Sequence, residues 1–178
     1  MTTKDQILEV GFQLFLDKGY KNTSMSDLMQ ATQLSKGAFY HYFASKEVLY
    51  QEVIDRYFLA YYQSVDFGEI ELSSIADVEE AIKGFYLAVV PEIILLSPKG
   101  LSRYFILFFE AYDSYPKYRV EVRKFYEALK ETIRAVYILE NSNEPEKDAI
   151  RMIAKYEGLL FWLAIYPEKD AGKMIADF

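Results

Sequence analysis

The stretch from Ser24 to Leu49, SMSDLMQATQLSKGAFYHYFASKEVL, decides the fold, because it contains two short helical patterns on either side of a turn and then begins a third. Serine is favoured at the N-cap of a helix, where its oxygen accepts an otherwise unsatisfied backbone N–H. Ser24, Ser35 and Ser45 each precede one of the three patterns, and Gln33 lies in the turn. The spacing therefore predicts a helix-turn-helix whose second helix follows Ser35.

The exposed side of that second helix has an unusual composition. Solvated helices typically carry Glu and Lys, whereas this one offers Lys36, Gly37, Tyr40 and His41. A cation, a small residue that permits close approach and two hydrogen-bonding rings suit a phosphate-lined groove. Lys46 lies in the first turn of the third helix, where the helix dipole disfavours a cation. This position indicates a nearby anion such as a DNA phosphate, although a solvated lysine is the simpler interpretation.

Together with LFLDKGYKNTS at residues 14–24, the stretch resembles the DNA-binding domain of the tetracycline-repressor (TetR) family of bacterial regulators, over roughly residues 7–49. The matching elements are Leu14-Phe15, Gly19-Tyr20, Thr23-Ser24, Ser35-Lys36-Gly37, Phe39-Tyr40, Tyr42-Phe43, Ser45-Lys46-Glu47 and Leu49. The turn departs from the family pattern, since Thr32-Gln33-Leu34 stands where Ala-Gly-Val is usual. A positive φ at Gln33 would cost roughly 1 kcal/mol relative to glycine.

The resemblance implies a set of DNA-binding residues on the helix-turn-helix. The set is Ser24, Ser35, Lys36, Gly37, Ala38, Phe39, Tyr40, His41 and Lys46. We expect the Ser24 cap, Tyr40, His41 and Lys46 to position the domain on phosphates. Lys36, Gly37 and Phe39 are expected to lie nearest to the base edges.

Length and composition bound the remaining possibilities. The 178 residues contain no Cys and one His, which excludes disulfides, thiolate catalysis and Cys-type zinc sites, and nothing indicates a metal or cofactor. The N-terminal stretch carries Asp5 and Glu9 where a signal peptide would be apolar, and no apolar run reaches the roughly 18 residues of a membrane span. We therefore expect a soluble cytoplasmic protein with no membrane partner.

The net charge of −7 is unevenly distributed. Residues 1–50 contain five Lys and five Asp or Glu, so they are neutral, whereas residues 51–178 contain 15 Lys or Arg and 22 acids and carry the whole −7. The N-terminal part therefore does not repel DNA, but its neutrality predicts modest affinity for each half-site and a requirement for two heads.

Helical patterns continue along the rest of the chain. Thr3 and Gln6 form a capping-box signature for the first helix, Gly11 marks close packing within it, and Gly19 is its expected C-cap. The expected helices and breaks are one helix from Ser45 past Tyr62, a loop near residues 66–73, then Ser74 to Leu96 with a kink at Pro91, Gly100 to Ser114, Pro116 to Glu140 and Pro145 to Tyr166. The predicted fold is all-α, with a three-helix DNA-binding domain at residues 1–46 and a helical effector-binding and dimerisation bundle at residues 47–178.

Aromatic residues are abundant in the second domain. Most must pack in the core, yet so many tyrosine hydroxyls need partners, and the resemblance implies a small-molecule effector in this region. The candidate effector-binding residues are Tyr86, Glu92, Tyr104, Phe108, Tyr112, Tyr126, Glu157, Phe161 and Trp162. We expect a lipophilic or aromatic effector, and the acidic candidates extend this to cationic compounds.

Glu92 and Glu157 stand out because helical spacing surrounds each with apolar neighbours. A buried carboxylate needs a partner, which is a protein cation such as Arg103 or Arg134, a water molecule or a cationic ligand. Partial exposure or a structural ion pair is the simpler interpretation. Glu110 shares its face with Arg103 and Asp113, which predicts a solvated side chain.

Apolar stripes run along the last two long helices. Their members are Val122, Phe125, Leu129, Ile133 and Val136, then Ile150, Ile153, Leu160, Phe161 and Ala164. Doubling such a helical hairpin across a two-fold axis gives a four-helix bundle, which is the homodimer interface that the resemblance implies. Glu157 could face either this interface or the effector pocket.

The sequence thus predicts a homodimeric, ligand-responsive regulator that binds a pseudo-palindromic operator in double-stranded DNA, with repression released by the effector. Activation is not excluded, and neither operator nor effector can be read from the residues. An enzyme is not expected, because His41 lies in the recognition helix and no Gly-rich phosphate loop or G-x-S-x-G turn occurs, although an Asp/Glu-only or Tyr-dependent enzyme stays open. The stronger alternative is a helical lipid- or drug-binding protein, which buried Lys36, Tyr40 and His41 side chains would favour.

Overall fold

The computed structural model describes residues 2–65, 72–96 and 100–178, with only the backbone of Leu96. In these residues the chain is helical throughout, and no strand occurs. The helices are α1 (Thr3–Lys18), α2 (Met25–Thr32), α3 (Lys36–Tyr42), α4 (Lys46–Ile54), α5 (Ala60–Gln63), α6 (Ile75–Leu96), α7 (Leu101–Ser114), α8 (Pro116–Leu139), α9 (Pro145–Ile165) and α10 (Ala171–Asp177). A π-helical turn, Asp55–Leu59, joins α4 to α5. The expected all-α fold with an N-terminal helix-turn-helix is confirmed.

Three serine caps set the starts of α2, α3 and α4. The hydroxyls of Ser24, Ser35 and Ser45 accept the backbone N–H three residues on, at 3.1, 3.2 and 3.2 Å. Gln33 ends α2 in the left-handed region, with φ 56° and ψ 24°, so the strain expected for this turn is present. The cap predicted for α1 is wrong by one residue, since Thr2 caps the helix and not Thr3. The Thr2 side chain accepts the backbone N–H of Asp5, and the carboxylate of Asp5 accepts the backbone N–H of Thr2 in return.

The later helices begin and end within one or two residues of their expected bounds. Two differences are informative. The helix that follows Ser45 contains the π-helical turn, and α10 was not expected. Helix α6 includes Pro91, as expected. The α10 pattern is short, but Asp170 caps it and Ile175 is fully buried. Most of the loop predicted at residues 66–73 lies outside the described residues.

The chain forms two compact units. The first comprises Met1–Ser64 and Arg103–Val122, and the second comprises Val65–Ser102 and Arg123–Phe178. These units follow packing, so α7 and the start of α8 belong with the N-terminal helices, and the functional boundary expected at residue 46 stays a prediction. In the first unit, Gly11 permits close contact between α1 and α4, because a Cβ there would lie 3.3 Å from a methyl carbon of Leu49.

The core of the second unit joins α6, α8 and α9 through Val78, Ile133, Val136, Met152 and Tyr156. The short α10 packs against α6. In the described parts of the chain, no helix combines the length and apolarity that a membrane crossing requires.

Candidate nucleic-acid interface and effector cavity

One side of α3 is open to solvent. Lys36, Gly37, Tyr40 and His41 are all exposed, and Ser35 is exposed at the helix N-cap. Tyr40 keeps 41% of its surface accessible. The side of α3 that carries the predicted DNA-binding groups is therefore available to a partner, and we call it the recognition face.

The opposite side of α3 anchors the helix in the first unit. Phe39 and Phe43 are both fully buried, with ring centroids 6.4 Å apart. The prediction that Phe39 lies near base edges is thus wrong, because its side chain supplies the packing that holds the helix. Ala38 is half-buried and also offers little to a partner.

Tyr42 is a candidate that the sequence interpretation missed. Its side chain is 38% exposed, and its ring lies 5.2 Å from that of His41. The signal was present, since Phe39 and Phe43 are four residues apart and mark the buried side. Tyr42 therefore extends the recognition face toward the C-terminal end of α3.

The start of α2 is held by a polar network around Asp27. Its carboxylate accepts the N–H and hydroxyl of Ser24, and the ammonium group of Lys18 donates to it at 2.7 Å. The Lys18 hydrogen bond, followed by those from Ser24, keeps the pKa of Asp27 well below its usual range. Ser24 thus uses its side chain within the protein, while the residue itself stays exposed at the N-terminus of α2.

Lys46 has partners within the first unit. Its ammonium group donates to the carbonyl oxygens of Tyr20 and Thr23, both at 2.8 Å, and lies 4.3 Å from the centroid of the Tyr20 ring. These carbonyls offset the unfavourable helix dipole that made this lysine conspicuous in the sequence. The predicted contact between Lys46 and a DNA phosphate stays untested.

Helix α7 also bonds to the turn after α1. The carboxylate of Glu110 accepts the backbone N–H of Tyr20 at 3.1 Å, and the guanidinium of Arg103 donates to the carbonyl oxygens of Leu16 and Asp17. The expectation that Glu110 points into solvent is therefore wrong, since the carboxylate is half-buried against the turn. Arg103 satisfies carbonyls at the C-terminal end of α1, where a cation is favourable.

Ion pairing reduces the number of cations that the N-terminal helices can offer to DNA. Lys4 pairs with Glu52 at 2.6 Å and Lys18 with Asp27 at 2.7 Å. Lys21 and Lys36 are exposed, and neither forms an ion pair with a described residue. Each protomer thus presents few free cations, in agreement with the neutral charge of residues 1–50.

The second unit contains a cavity of about 220 Å³ between α6 and α8. Its described lining is Val65, Leu72, Val78, Ala81, Ile82, Phe85, Tyr86, Phe125, Leu129, Thr132 and Ile133. Nearly all of these side chains are apolar, and none carries a charge. The cavity is therefore suited to an apolar molecule, and it is smaller than most drug-sized pockets.

Glu157 is held by two tyrosines. The hydroxyls of Tyr86 and Tyr126 both donate to Oε1 of its carboxylate, at 2.8 and 2.7 Å. The cations considered as partners are elsewhere: Arg103 binds α1 carbonyls, and Arg134 pairs with Glu131 at 2.7 Å. Two hydroxyls thus bind one oxygen of the carboxylate, and Tyr86 links this group to the cavity lining.

The other effector candidates lie in different surroundings. Tyr104, Phe108 and Tyr112 belong to the first unit, where Tyr104 stacks on Phe58 at 4.6 Å and Phe108 stacks on Tyr112 at 6.3 Å. Glu92 is exposed. Phe161 and Trp162 are 62% and 49% exposed on the outer side of α9. Of the predicted effector residues, Tyr86 lines the cavity, and Tyr126 and Glu157 join it through hydrogen bonds.

The apolar stripe predicted on α8 for dimerisation faces the chain's own interior. Val122, Ile133 and Val136 are buried, and Phe125 and Leu129 line the cavity. On α9, Ile150 and Phe161 of the predicted stripe are exposed. Together with other exposed residues of the helix they form what we call the α9 outer face: Ile150, Ala154, Gly158, Phe161, Trp162 and Ile165. Near its end, α8 likewise exposes Ala135, Ile138 and Leu139. These two faces are apolar surfaces that a partner could cover.

The sequence of the N-terminal helices matches a known domain. Residues 7–53 match the family model of the bacterial regulatory proteins, tetR family. Residues 7–53 are therefore a tetR-family helix-turn-helix DNA-binding domain, and the members of that family are bacterial regulatory proteins.

Similar proteins agree with this assignment. The chain is 32% identical over 84 residues to the HTH-type transcriptional repressor NemR of Escherichia coli (strain K12), covering 47% of this chain and 41% of that protein. It is 36% identical over 55 residues to the HTH-type transcriptional regulator QacR of Staphylococcus aureus, covering 31% and 29%. The chain thus spans less than half the length of these curated relatives in the matched regions.

Solved structures resemble the fold over nearly the whole chain. The crystal structure of the reduced form of E. coli NemR has a TM-score of 0.61 at 23% identity and covers 97% of this chain and 92% of that one. A TerR/AcrR-family transcriptional regulator from Aquifex aeolicus has a TM-score of 0.62 at 23% identity, covering 99% and 95%. At this identity the likeness concerns the fold alone.

Proposed function

We propose that this TetR-family protein is a homodimeric transcriptional repressor that leaves its operator when a small lipophilic effector binds. The observation that carries the proposal is the exposure of Lys36, Tyr40 and His41 on the recognition face. A helical lipid- or drug-binding protein without DNA function does not require these three groups at its surface. Their exposure therefore favours the DNA-binding regulator over that alternative. The repressor assignment is also supported by the name of the relative NemR.

The recognition face of α3 enters the major groove of DNA in this proposal. Lys36 at its first turn reaches base edges, with the exposed Gly37 allowing close approach, while Tyr40, His41 and the exposed Tyr42 position the helix on the backbone. Two such heads about one helical turn apart, roughly 34 to 36 Å, read a pseudo-palindrome.

The dimer forms through the α9 outer face together with the exposed end of α8. Phe161 and Ile165 are 62% and 52% exposed, and contiguous apolar surface of this kind marks an interaction site. Gly158 and Ala154 lie between the large residues, and a Cβ at Gly158 would meet no atom within 4 Å in the chain. A second helix can therefore approach closely at this point, as it does in four-helix bundles.

Effector binding in the cavity shifts the population between two conformations, one of which fits the operator. We propose that residues 45–63, which follow α3, change the spacing of the two heads. The π-helical turn Asp55–Leu59 lies within this segment, and such turns recur at functional positions in helices.

The DNA-binding part of the proposal is tested by titrating duplex DNA selected from a random pool at several salt concentrations. Two free lysines on each head, one of them inside the phosphate-lined groove, each displace counterions from the DNA. The log-log slope should therefore be on the order of −4 for the dimer, at about −0.9 per phosphate neutralised. A slope near zero for the selected sequence would contradict phosphate contacts by these heads.

The effector part is tested with naphthalene and its cationic analogue 1-(aminomethyl)naphthalene. Because the described cavity lining is uncharged and two tyrosine hydroxyls already bind Glu157, naphthalene should raise Tm more than the cation does. Leu129→Trp should fill the cavity and abolish the shift, whereas Leu87→Trp at an exposed position of α6 should preserve it. A larger effect of the cation, or equal effects in both variants, would contradict binding of a neutral molecule in this cavity.

A further inference from the structure

The cavity between α6 and α8 has two different ends. At one end, the ring centroids of Phe85 on α6 and Phe125 on α8 lie 6.4 Å apart, and the ring of Tyr86 lies 5.5 Å from that of Phe85. At the other end, Val78 of α6 and Ile133 of α8 belong to one buried cluster. All five residues line the cavity. Its first end is therefore aromatic, and its second end is aliphatic.

The shape of the cavity favours an elongated occupant. Phe125 and Ile133 are eight residues apart on α8, and a helix rise of about 1.5 Å per residue separates them by roughly 12 Å. The volume of about 220 Å³ is small for this length. A ring fits best at the aromatic end, where it can pack against other rings edge to face, and an alkyl chain suits the aliphatic end.

The polar groups of the lining determine what else an occupant must carry. Among the described lining residues, only Tyr86 and Thr132 have a polar side-chain atom. Tyr86 belongs to the aromatic end, and its hydroxyl donates to Oε1 of Glu157 at 2.8 Å. A carboxylate only accepts hydrogen bonds, and a phenol has a single hydrogen to donate. While this bond is kept, Tyr86 can act towards a molecule in the cavity only as an acceptor, through its oxygen.

Glu157 strengthens this preference of Tyr86 for a donor. A hydrogen bond to a charged group is stronger than one between neutral groups, so a ligand that can only accept would have to break a strong bond. A phenol that donates to a carboxylate is also a better acceptor, because hydrogen bonds in a chain polarise one another. The hydroxyl of Thr132 can both donate and accept, and it therefore does not distinguish the two kinds of ligand.

We propose that the effector is a neutral aromatic molecule that carries a short alkyl chain and, on its ring, one hydrogen-bond donor, as an alkylphenol does. The donor binds the oxygen of Tyr86, which makes Tyr86 the residue that determines specificity at the aromatic end. This inference rests on the proposed binding of a lipophilic effector in the cavity, and it names the chemical class of that effector.

The first experiment compares three ligands on the parent protein by isothermal titration calorimetry, without DNA. The ligands are 4-propylphenol, 4-propylanisole, which keeps the oxygen but has no hydrogen to donate, and propylbenzene, which has no polar atom. The phenol should bind at least about fivefold more tightly than the anisole, because only the phenol forms the hydrogen bond. This comparison requires no substitution in the protein.

The second experiment repeats the titrations with three variants. Tyr86→Phe should weaken binding of 4-propylphenol at least about fivefold and leave that of propylbenzene within about twofold, since only the phenol loses a bond. Tyr126→Phe is the matched control, because Tyr126 donates to the same oxygen of Glu157, at 2.7 Å, but is not among the described lining residues. Thr132→Val removes the other hydroxyl of the lining. Both controls should keep the preference for the phenol.

Three results would overturn the inference. They are equal binding of the phenol and the anisole by the parent protein, equal weakening of the phenol and propylbenzene by Tyr86→Phe, and a preference that Thr132→Val abolishes while Tyr86→Phe keeps it. In each case propylbenzene still binds, so the proposed lipophilic effector stands and only its class is wrong. If none of the three ligands binds, the effector part of the proposed function fails together with this inference.

Discussion

The recognition face of α3 and the α9 outer face both expose aromatic rings, but their neighbours differ. On α3, Tyr40 and His41 carry hydrogen-bonding atoms and stand beside Lys36. On α9, Phe161 lies beside Ile165, and the indole N–H of Trp162 is the polar group of the two exposed rings. Rings with polar atoms and a cation suit the wet, charged surface of DNA, whereas apolar rings suit a dry contact with another protein surface. Exposed aromatic residues thus locate an interface, and the groups around them indicate its partner.

The largest effect is expected on α9. Phe161→Glu should weaken the dimer at least about 100-fold, because a carboxylate would be buried in an apolar interface without a counter-ion. Specific operator binding should be lost with it. Phe109→Glu on α7 is a matched control, since Phe109 and Phe161 are both 62% exposed. Analytical ultracentrifugation should show monomers for the first variant and dimers for the second; dimers for both would remove the distinction between the two surfaces.

An intermediate effect is expected on α3. Lys36→Ala should lower operator affinity at least about tenfold and reduce discrimination between operator and unrelated DNA, because a base contact is lost. Tyr40→Phe should weaken binding to all sequences alike, since the hydroxyl is assigned to the backbone. Both variants should stay dimeric. Fluorescence-anisotropy titrations at fixed salt measure these affinities, and parent-like binding by both variants would show that the recognition face is misassigned.

The smallest effect concerns the turn that presents α3. Gln33→Gly should raise the free energy of unfolding by about 0.5 to 1 kcal/mol, because Gln33 adopts a positive φ of 56° that glycine tolerates better. Asn141→Gly, at a φ of 59°, should change stability less, since asparagine is itself tolerant of this region. Urea denaturation measures both. A destabilised Gln33→Gly protein would mean that the glutamine side chain contributes more than the strain costs.

Local signals in the sequence predicted the helices well. Ser24, Ser35 and Ser45 were read correctly as caps because capping depends on a residue and the three that follow it. The left-handed turn at Gln33 followed from the same local reasoning. The short α10 was missed because seven residues provide too little periodicity, although Asp170 was an available cap signal.

Contacts between distant segments could not be read in this way. Helical spacing placed Glu157 in an apolar stripe, but its partners Tyr86 and Tyr126 come from α6 and α8. Similarly, an unfavourable dipole indicated an anion near Lys46, and two backbone carbonyls from a turn more than 20 residues earlier provide the negative charge density. The sequence thus identifies a group that needs a partner, while the fold determines which partner it receives.

The α8 stripe was assigned to the dimer for the same reason, since the sequence does not show which surface a helix contacts. Val122, Ile133 and Val136 form a regular apolar pattern on α8, and periodicity cannot tell an internal surface from one buried against a second chain. The structure buries this stripe within the chain and leaves the outer face of α9 exposed. The expected role of the last two long helices therefore stays a proposal. Ile150 and Phe161 of the predicted stripes remain in its basis, while the α8 residues are replaced.

The central claim is that two copies of this chain bind one operator through α3. The most direct measurement is the stoichiometry of the complex with a duplex selected from a random pool, determined by sedimentation velocity at physiological salt. We predict two protomers on one pseudo-palindromic site whose half-sites are centred about 10 base pairs apart, or one helical turn. Selection of no common sequence, or one protomer bound to a single half-site with full affinity, would contradict the account.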